Sequence, residues 1–459
     1  MSQDMGMIGN RDELERASTG QARSRLLDVV ESTLSAMHPR SLLDDVVTRS
    51  DDRTLVVNGT TYDLSEYGHV YVTGAGKGAL PLVEATTDIV GGALTEAIAV
   101  EKRGQGAERD DIEVVEADHP VPSDASLDAG RAVIERARSA TADDLVFVCI
   151  TGGASSLLAA PAGDLTVSDL ATVTDELLRA GARIEELNAV RKHLSEIKGG
   201  RLATHLGEAT VVGLIVVDEV QGDPWGPTVP DETTYETAIE ALKRNECWSS
   251  VPTAVRAHLE RGAWTPAMET PVDQQGRCVQ NVVLADAEDL CLAAQEFGKR
   301  AGFSPTILST MIEGESAEAG IVLAGIAKEV AANGRPVEPP CLLISSGETI
   351  VTVTDDSGEG GPNQEFAVSF GIEIDGWSTI TALSVGTDGT DGPTEVAGGI
   401  VDGKTIMRAN EAGVDLREHL AKNDTTPALE ALGNALYTGS TDTNVMDLRL
   451  VHVGEQERL

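Results

Sequence analysis

Lys77 sits inside the turn VTGAGKGA, between a short β-rich run and a helical pattern. Backbone N–H groups at such a strand-to-helix turn favour an anion, and a lysine adds a charge that can meet phosphate or carboxylate. The spacing meets neither G-x-x-x-x-G-K-[ST] nor G-x-G-x-x-G, so a solvated turn lysine stays open as the plainer reading. A second turn, ITGGASSLL, offers the backbone of Gly152 and Gly153 and the hydroxyls of Ser155 and Ser156. It lacks G-x-S-x-G and so gives little support to a hydrolase nucleophile; an anion cradle and a serine-capped turn both fit. In LNAVRKHLSEIKGGRLA the cations Arg191, Lys192, Lys198 and Arg201 crowd one segment. On a helix, Asn188, Arg191 or Lys192, and Ser195 fall on neighbouring rows, where their polar groups can converge on one anionic ligand. The alternative is a basic helix paired with an acidic surface.

The carboxylates are as specific in placement. LIVVDEVQGDPWGPTVPD ends an apolar run in Asp218, with Glu219 and Asp223 behind it. An acid at the C-terminal tip of a parallel strand lies where α/β folds bind ligands, and it can orient or deprotonate a hydroxyl or help hold Mg²⁺. Capping the next turn is the competing role. LSVGTDGTDGPTEVAGG frames Asp388 and Asp391 with glycines, a setting for a cation site, a helix cap or a chain reversal. His119, in EADHPVPSDAS, reads as structural before catalytic, ahead of the helix caps Ser123 and Asp124.

These residues need a scaffold, and the pattern around them supplies one. Residues 22–48 predict an amphipathic helix broken at Pro39. Four stretches then repeat one grammar of apolar strand, glycine turn and following element: HVYVTGAGKGALPLVEATTDIV, DDLVFVCITGGASSLLAAP, TVVGLIVVDEVQGDPWGP and PCLLISSGETIVTVTDD. Continuous apolar strands ending at glycine suit a parallel sheet covered on both faces, so the fold class expected is α/β, with a large doubly wound, Rossmann-like domain. The region 237–282, rich in Pro, Trp and charge, reads as linker or irregular cover. Helices are expected at 284–301 and 315–333, and GRPVEPP marks a boundary before a smaller α/β domain. The domains expected are 1–282, a helical connection over 283–335, and 336–459.

Acidic residues outnumber basic ones 75 to 35, for a formal charge of −40 spread along 459 residues. That charge argues against non-specific nucleic-acid binding. Only nine lysines remain and aromatics make up 3%, a composition suited to concentrated salt. At about 1 M the Debye length is ~3 Å, which screens the self-repulsion of such a surface. Five cysteines form no C-x-x-C pair and no zinc spacing, which argues against a disulfide framework and against zinc. No signal-peptide core or membrane span is apparent, so a cytoplasmic protein without a membrane partner is expected.

Taken in order, GAGKGA, DHPVPSDAS, TGGASSLLAAP, ELNAVRKHLSEIKGGRLA, VPDETT, GETIVTV, GGPNQEFAVSF, VGTDGTDGPTEVAGGIVD and TGSTDTNVMDL resemble the glycerate 2-kinase family, which joins a DUF4147 domain to a MOFRL domain. The resemblance runs from about residue 25 to the end. It implies ATP-dependent phosphorylation of D-glycerate to 2-phosphoglycerate with a divalent metal such as Mg²⁺, in a cleft between the two domains. It implies Lys77 at the transferring phosphoryl group or the substrate and Asp218 as base or orienter of the attacking hydroxyl. Asn188, Arg191, Lys192, Ser155 and Ser156 would hold the substrate. Gly152, Gly153, Gly347, Glu348, Asn363, Thr387 and Gly389 would line the nucleotide, and Asp388 or Asp391 would face the metal. Partners would be the hydroxy acid and ATP alone; the oligomeric state stays open, a homodimer included.

Two departures stand near the expected site. Pro362 occupies the place of an arginine in GGPNQE, and GDPWGPT shortens a loop that the family usually has longer, over residues 221–228. They motivate a non-catalytic paralogue that binds a small acid or nucleotide. A hydroxypyruvate reductase is the other competitor, although no acid closes a clear dinucleotide-binding unit about 20 residues after the first turn.

Overall fold

The computed structural model describes residues 6–17, 21–104, 109–119, 121–220, 225–274, 276–354 and 357–455. Its chain divides into two compact units. The first comprises Leu43–Val216 and Pro224–Leu284. The second gathers Met1–Leu42, Val217–Asp223 and Ala285–Leu459.

In the first unit six strands, β1 (His69–Ala75), β2 (Leu94–Lys102), β3 (Glu113–Ala117), β4 (Asp144–Ile150), β5 (Thr210–Val216) and β6 (Val279–Ala285), lie in the order β3-β2-β1-β4-β5-β6. The pairs from β3 through β5 are parallel. β4 is buried along its whole length, as a strand covered on both faces requires. The order is that of a doubly wound sheet, whose strand progression reverses between β1 and β4. A three-stranded antiparallel sheet of Val47–Arg49, Thr54–Val57 and Thr60–Asp63 belongs to the same unit.

The second unit holds β7 (Pro305–Glu315), β8 (Cys341–Ile350), β9 (Ile380–Gly386), β10 (Gly398–Asp402), β11 (Ala435–Leu436) and β12 (Asp447–Val453), in the order β7-β8-β12-β9-β10-β11. Only β7 and β8 are parallel; the other pairs are antiparallel. The Pro362–Glu373 helix is buried over most of its length and joins a core with Leu343, Ala382, Val401 and Val451.

The expected helices are present as Gln21–Ala36, Pro39–Val46, Ala287–Arg300 and Ser316–Asn333. Two expectations need correction. Residues 237–282 are not irregular cover: the helices Tyr235–Arg244 and Thr253–Ala263 lie there, and β6 begins at Val279. Tyr235, Ala238, Leu242, Val255 and Leu259 recur at helical spacing and pack on Leu187 and Val190, a period that the intervening Pro and Trp residues obscure. The first unit ends at Leu284, near the boundary expected at 282, but Met1–Leu42 and the stretch from Ala285 through 335 belong to the second unit. The Gln21–Ala36 helix packs on Ala287–Arg300, and its Arg23, 1% exposed, places Nη2 2.8 Å from Asp402 Oδ2 and Nη1 3.0 Å from Asn434 Oδ1. A buried guanidinium needs such partners, and sequence order does not reveal partners 379 and 411 positions away. Among the described residues no helix is long and apolar enough to cross a membrane.

Candidate functional site

In the first unit the turns after β1 and β4 meet where the strand order reverses. Lys77 N donates to Gly152 O at 2.7 Å, Thr151 Oγ1 to Lys77 O at 2.7 Å, and Thr151 N to Ala75 O at 3.2 Å. Gly153 has φ +84°, and a Cβ there would lie 3.0 Å from His119 Cδ2 and 3.3 Å from Lys77 Cγ. Glycine is thus required for Lys77 and the ring of His119 to approach this turn.

The helix that follows Lys77, Ala79–Val90, does not present a bare N-terminus. Glu101, at the end of β2 and 1% exposed, accepts from Gly78 N at 3.1 Å and from Leu80 N at 2.9 Å. The expectation of unpaired amides at this turn is corrected there: the protein's own carboxylate takes two of them. Glu101 lies 24 positions beyond Lys77, near the end of β2, so the expectation that no acid follows the first turn by about 20 residues is corrected too: an acid is there, turned onto the helix amides.

The cation segment forms the Ile184–His193 helix and the turn after it. Buried His193 anchors the end of that helix, with Nδ1 2.7 Å from Ala189 O and Nε2 2.7 Å from Glu269 Oε1. Lys192 does not share the setting of its neighbour. Its Nζ lies 3.0 Å from Asp231 Oδ1, and Thr233 donates to the same oxygen through N and Oγ1. Burial pushes the Asp231 carboxyl up, but Lys192 and Thr233 outweigh it and hold it below its ordinary range. Arg191 reaches Thr174 Oγ1 at 3.4 Å.

Lys198 was not among the expected site residues, yet its Nζ donates to Ser155 O at 2.5 Å, directly after the Gly152–Gly153 turn. Desolvation, then the charge of Arg191, lowers its pKa to about 7. Ser156 turns inward and donates to Gly153 O at 3.0 Å, whereas Ser155 stays half-buried. Lys77, Gly152, Gly153, Ser155 and Lys198 thus form one linked series; the charge of Arg191 acts on Lys198, and Asn188 shares the Ile184–His193 helix with Arg191.

In the second unit, Asp391 is 3% exposed and takes four N–H donors. Oδ1 accepts from Asn363 N at 2.9 Å and Nδ2 at 3.1 Å, and Oδ2 from Gln364 N at 2.9 Å and Nε2 at 3.1 Å. It caps the Pro362–Glu373 helix, where Pro362 fills the first position that suits proline. Asn363, buried, also donates to Asp447 Oδ1 at 2.7 Å and accepts from Ser384 Oγ at 2.5 Å. Asp388 is half-buried, and its Oδ1 accepts from Thr390 N at 3.0 Å and Oγ1 at 3.1 Å. Thr387 Oγ1 donates to Met446 O at 2.6 Å and accepts from Val445 N at 2.7 Å.

Burial pushes Asp391 up to about 7, against the pull of the Asn363 and Gln364 donors. Burial thus favours the neutral acid while the four donors favour the carboxylate, and the balance lies above the ordinary carboxyl range. The group's stabilising contribution is complete below about pH 4 and is lost as pH rises through about 7. Between about pH 5 and 8 the urea midpoint of the wild type should fall relative to that of Asp391→Asn; parallel curves would contradict the assignment.

Gly347 has φ +136°, and a Cβ there would lie 2.2 Å from Ile312 O; Glu348 beside it is exposed on β8. Gly389 has φ +86°, and a Cβ there would lie 1.9 Å from Gly439 O. Gly389→Ala meets both left-handed strain and backbone contact, so it should cost about 2–4 kcal/mol, read as a lowered urea midpoint.

Asp218, two residues beyond β5, accepts at Oδ2 from Asn444 Nδ2 at 3.0 Å. Asp223 and the whole first half of the shortened 221–228 loop, residues 221–224, lie outside the described residues. Among the described residues no group of three or more His, Cys, Asp or Glu is placed to hold a metal ion.

Comparison with known proteins agrees with this architecture. Residues 25–260 match the family described as a domain of unknown function, DUF4147, and residues 341–447 match the MOFRL family. A glycerate 2-kinase from Pyrococcus horikoshii is 38% identical, over 91% of this chain and 94% of the relative. A D-glycerate 2-kinase from Thermotoga maritima is 37% identical, over 83% and 89%. An Agrobacterium vitis protein with a provisional hydroxypyruvate reductase name is 36% identical, over 90% and 94%. The solved structure of a Thermotoga maritima glycerate kinase superposes with a TM-score of 0.79 at 33% identity, covering 95% of this chain and all of that one (100%).

Proposed function

The chain belongs to the glycerate 2-kinase family, and on that premise we propose that it transfers the γ-phosphoryl group of ATP to the 2-hydroxyl of D-glycerate, giving 2-phosphoglycerate and ADP. The observation that carries this reading over a reductase is Glu101. In a dinucleotide-binding fold the pyrophosphate takes the helix N-terminus after the first strand. Here a buried carboxylate accepts from two of those amides, so they are already taken by the protein and do not cradle a dinucleotide pyrophosphate.

The proposal assigns Asp218 to receive or orient the proton of the attacking hydroxyl, since a carboxylate within reach of that hydroxyl favours its attack. Lys77 meets the transferring phosphoryl group, where a fixed cation stabilises developing charge without reorganisation. Arg191, Asn188 and Ser155 bind the carboxylate of the acid, and Lys198 holds Ser155 in place. Lys192 is assigned to Asp231 and so serves the helix rather than the ligand. Gly152, Gly153, Gly347 and Gly389 let backbone approach a nucleotide, and Glu348 lies next to one of them. Asn363 and Thr387 hold the loops they bridge.

A divalent ion such as Mg²⁺ commonly uses one or two carboxylates together with substrate phosphates. Half-buried Asp388 fits such a site, whereas Asp391, with four donors on its oxygens, is assigned to the helix it caps. When bound, the ion would neutralise phosphate charge. Pro362 leaves its helix without the family's arginine, so the proposal places the positive charge for catalysis on Lys77 and Arg191. The acidic surface is read as an adaptation to salt, in a cytoplasmic protein.

The test is a pair of assays. ADP release that depends on both ATP and D-glycerate supports the kinase, while oxidation of NAD(P)H by hydroxypyruvate without ATP would replace it by the reductase.

A further inference from the structure

We propose that Asn444 is a positioning residue for phosphoryl transfer, which fixes the carboxylate of Asp218 and ties it to the Thr387–Gly389 turn. The inference rests on the reading of Asp218 as the group that receives or orients the hydroxyl proton. Asn444 Nδ2 donates to Asp218 Oδ2 at 3.0 Å from 226 positions away in sequence. A carboxylate two residues past a strand end can rotate; one oxygen held by an amide donor sets the plane of the other.

Asn444 can do this only if its own backbone is held, and the surrounding bonds hold it. Val445 N donates to Thr387 Oγ1 at 2.7 Å, and Thr387 donates to Met446 O through Oγ1 at 2.6 Å and N at 3.1 Å. Thr441 Oγ1 donates to Thr387 O from the other side. Asp442 and Met446, either side of Asn444, both have φ +60°. Left-handed backbone at a residue such as Met446 persists where its surroundings over-determine it, as the Thr387 bonds do here. A single threonine therefore joins the turn that carries Asp388 and Gly389 to the segment that carries Asn444. Displacement of one is transmitted to the other, and errors of about 1 Å in a reacting group can cost on the order of a hundredfold in rate.

Asn444→Ala should lower kcat about 10–100-fold, with the KM values for D-glycerate and ATP, and ATP affinity by calorimetry, within about twofold of wild type. Asn444→Asp keeps the size but replaces the donor, so it should lose at least as much; near wild-type turnover in Asn444→Asp would show a space-filling role and overturn the proposal. In an Asp218→Asn background, adding Asn444→Ala should cost less than about threefold more. A loss that multiplies in full, or a loss in Asn444→Ala that follows a lowered melting temperature and is absent in Asn444→Asp, would also overturn it. If Asp218→Asn alone keeps wild-type kcat, the reading of Asp218 itself fails, an outcome distinct from failure of Asn444.

Discussion

Asp218→Asn is expected to lower kcat about a thousandfold or more, while ATP affinity measured by calorimetry stays within about twofold. The substitution removes the group assigned to receive the hydroxyl proton but keeps its size, and the side-chain oxygen of asparagine can still accept from Asn444. A thousandfold is on the order of 4 kcal/mol at the barrier, more than the loss of an ordinary hydrogen bond supplies. Thermal midpoints should barely move, because the residue is only half-buried. A variant that keeps more than about a tenth of wild-type kcat would remove Asp218 from the chemistry and leave it a turn-capping acid.

Lys77→Met should lower kcat/KM for ATP by about a hundred- to a thousandfold, the range seen when one preorganised donor to a transition-state anion is removed. Methionine keeps the aliphatic stem that approaches Gly153 and deletes the ammonium, with its charge and its donors. The turn itself should survive, because Lys77 N to Gly152 O and Thr151 Oγ1 to Lys77 O are backbone-directed at residue 77. Lys77→Arg should restore little: a planar guanidinium does not place its charge where an ammonium did, and Gly153 leaves small clearance. An unchanged kcat/KM in Lys77→Met, with the fold intact, would reduce Lys77 to a solvated turn residue.

Local pattern told most about elements whose partners are close in sequence. Apolar runs ending in glycine identified β1, β4, β5 and β8, and the break at Pro39 separated the first helices correctly. The doubly wound order sets the strand ends that carry the Lys77 and Gly152 turns side by side, a meeting that neither turn reveals by itself. What stayed hidden depended on distant partners. Nothing local to Arg23 points to Asp402 and Asn434, whose bonds to it show why residues 21–36 join the second unit.

The same cause limited the reading of the site. Lys192 and Arg191 are adjacent in sequence, yet Asp231 neutralises the first, and only the fold distinguishes them. Asp388 and Asp391 share glycine neighbours, yet one is half-buried and the other caps a helix with both oxygens. Lys198 and Asn444 lay within recognisable segments, but their importance comes from Ser155 and Asp218, 43 and 226 positions away.

The central claim is most directly tested by phosphorus NMR of the product formed from ATP and D-glycerate by the full chain, in KCl of about 1 M, where surface repulsion is screened. The account predicts a single new phosphomonoester, 2-phosphoglycerate, in step with ADP. Phosphate on the 3-hydroxyl, or no ester at all from a folded protein, would contradict it.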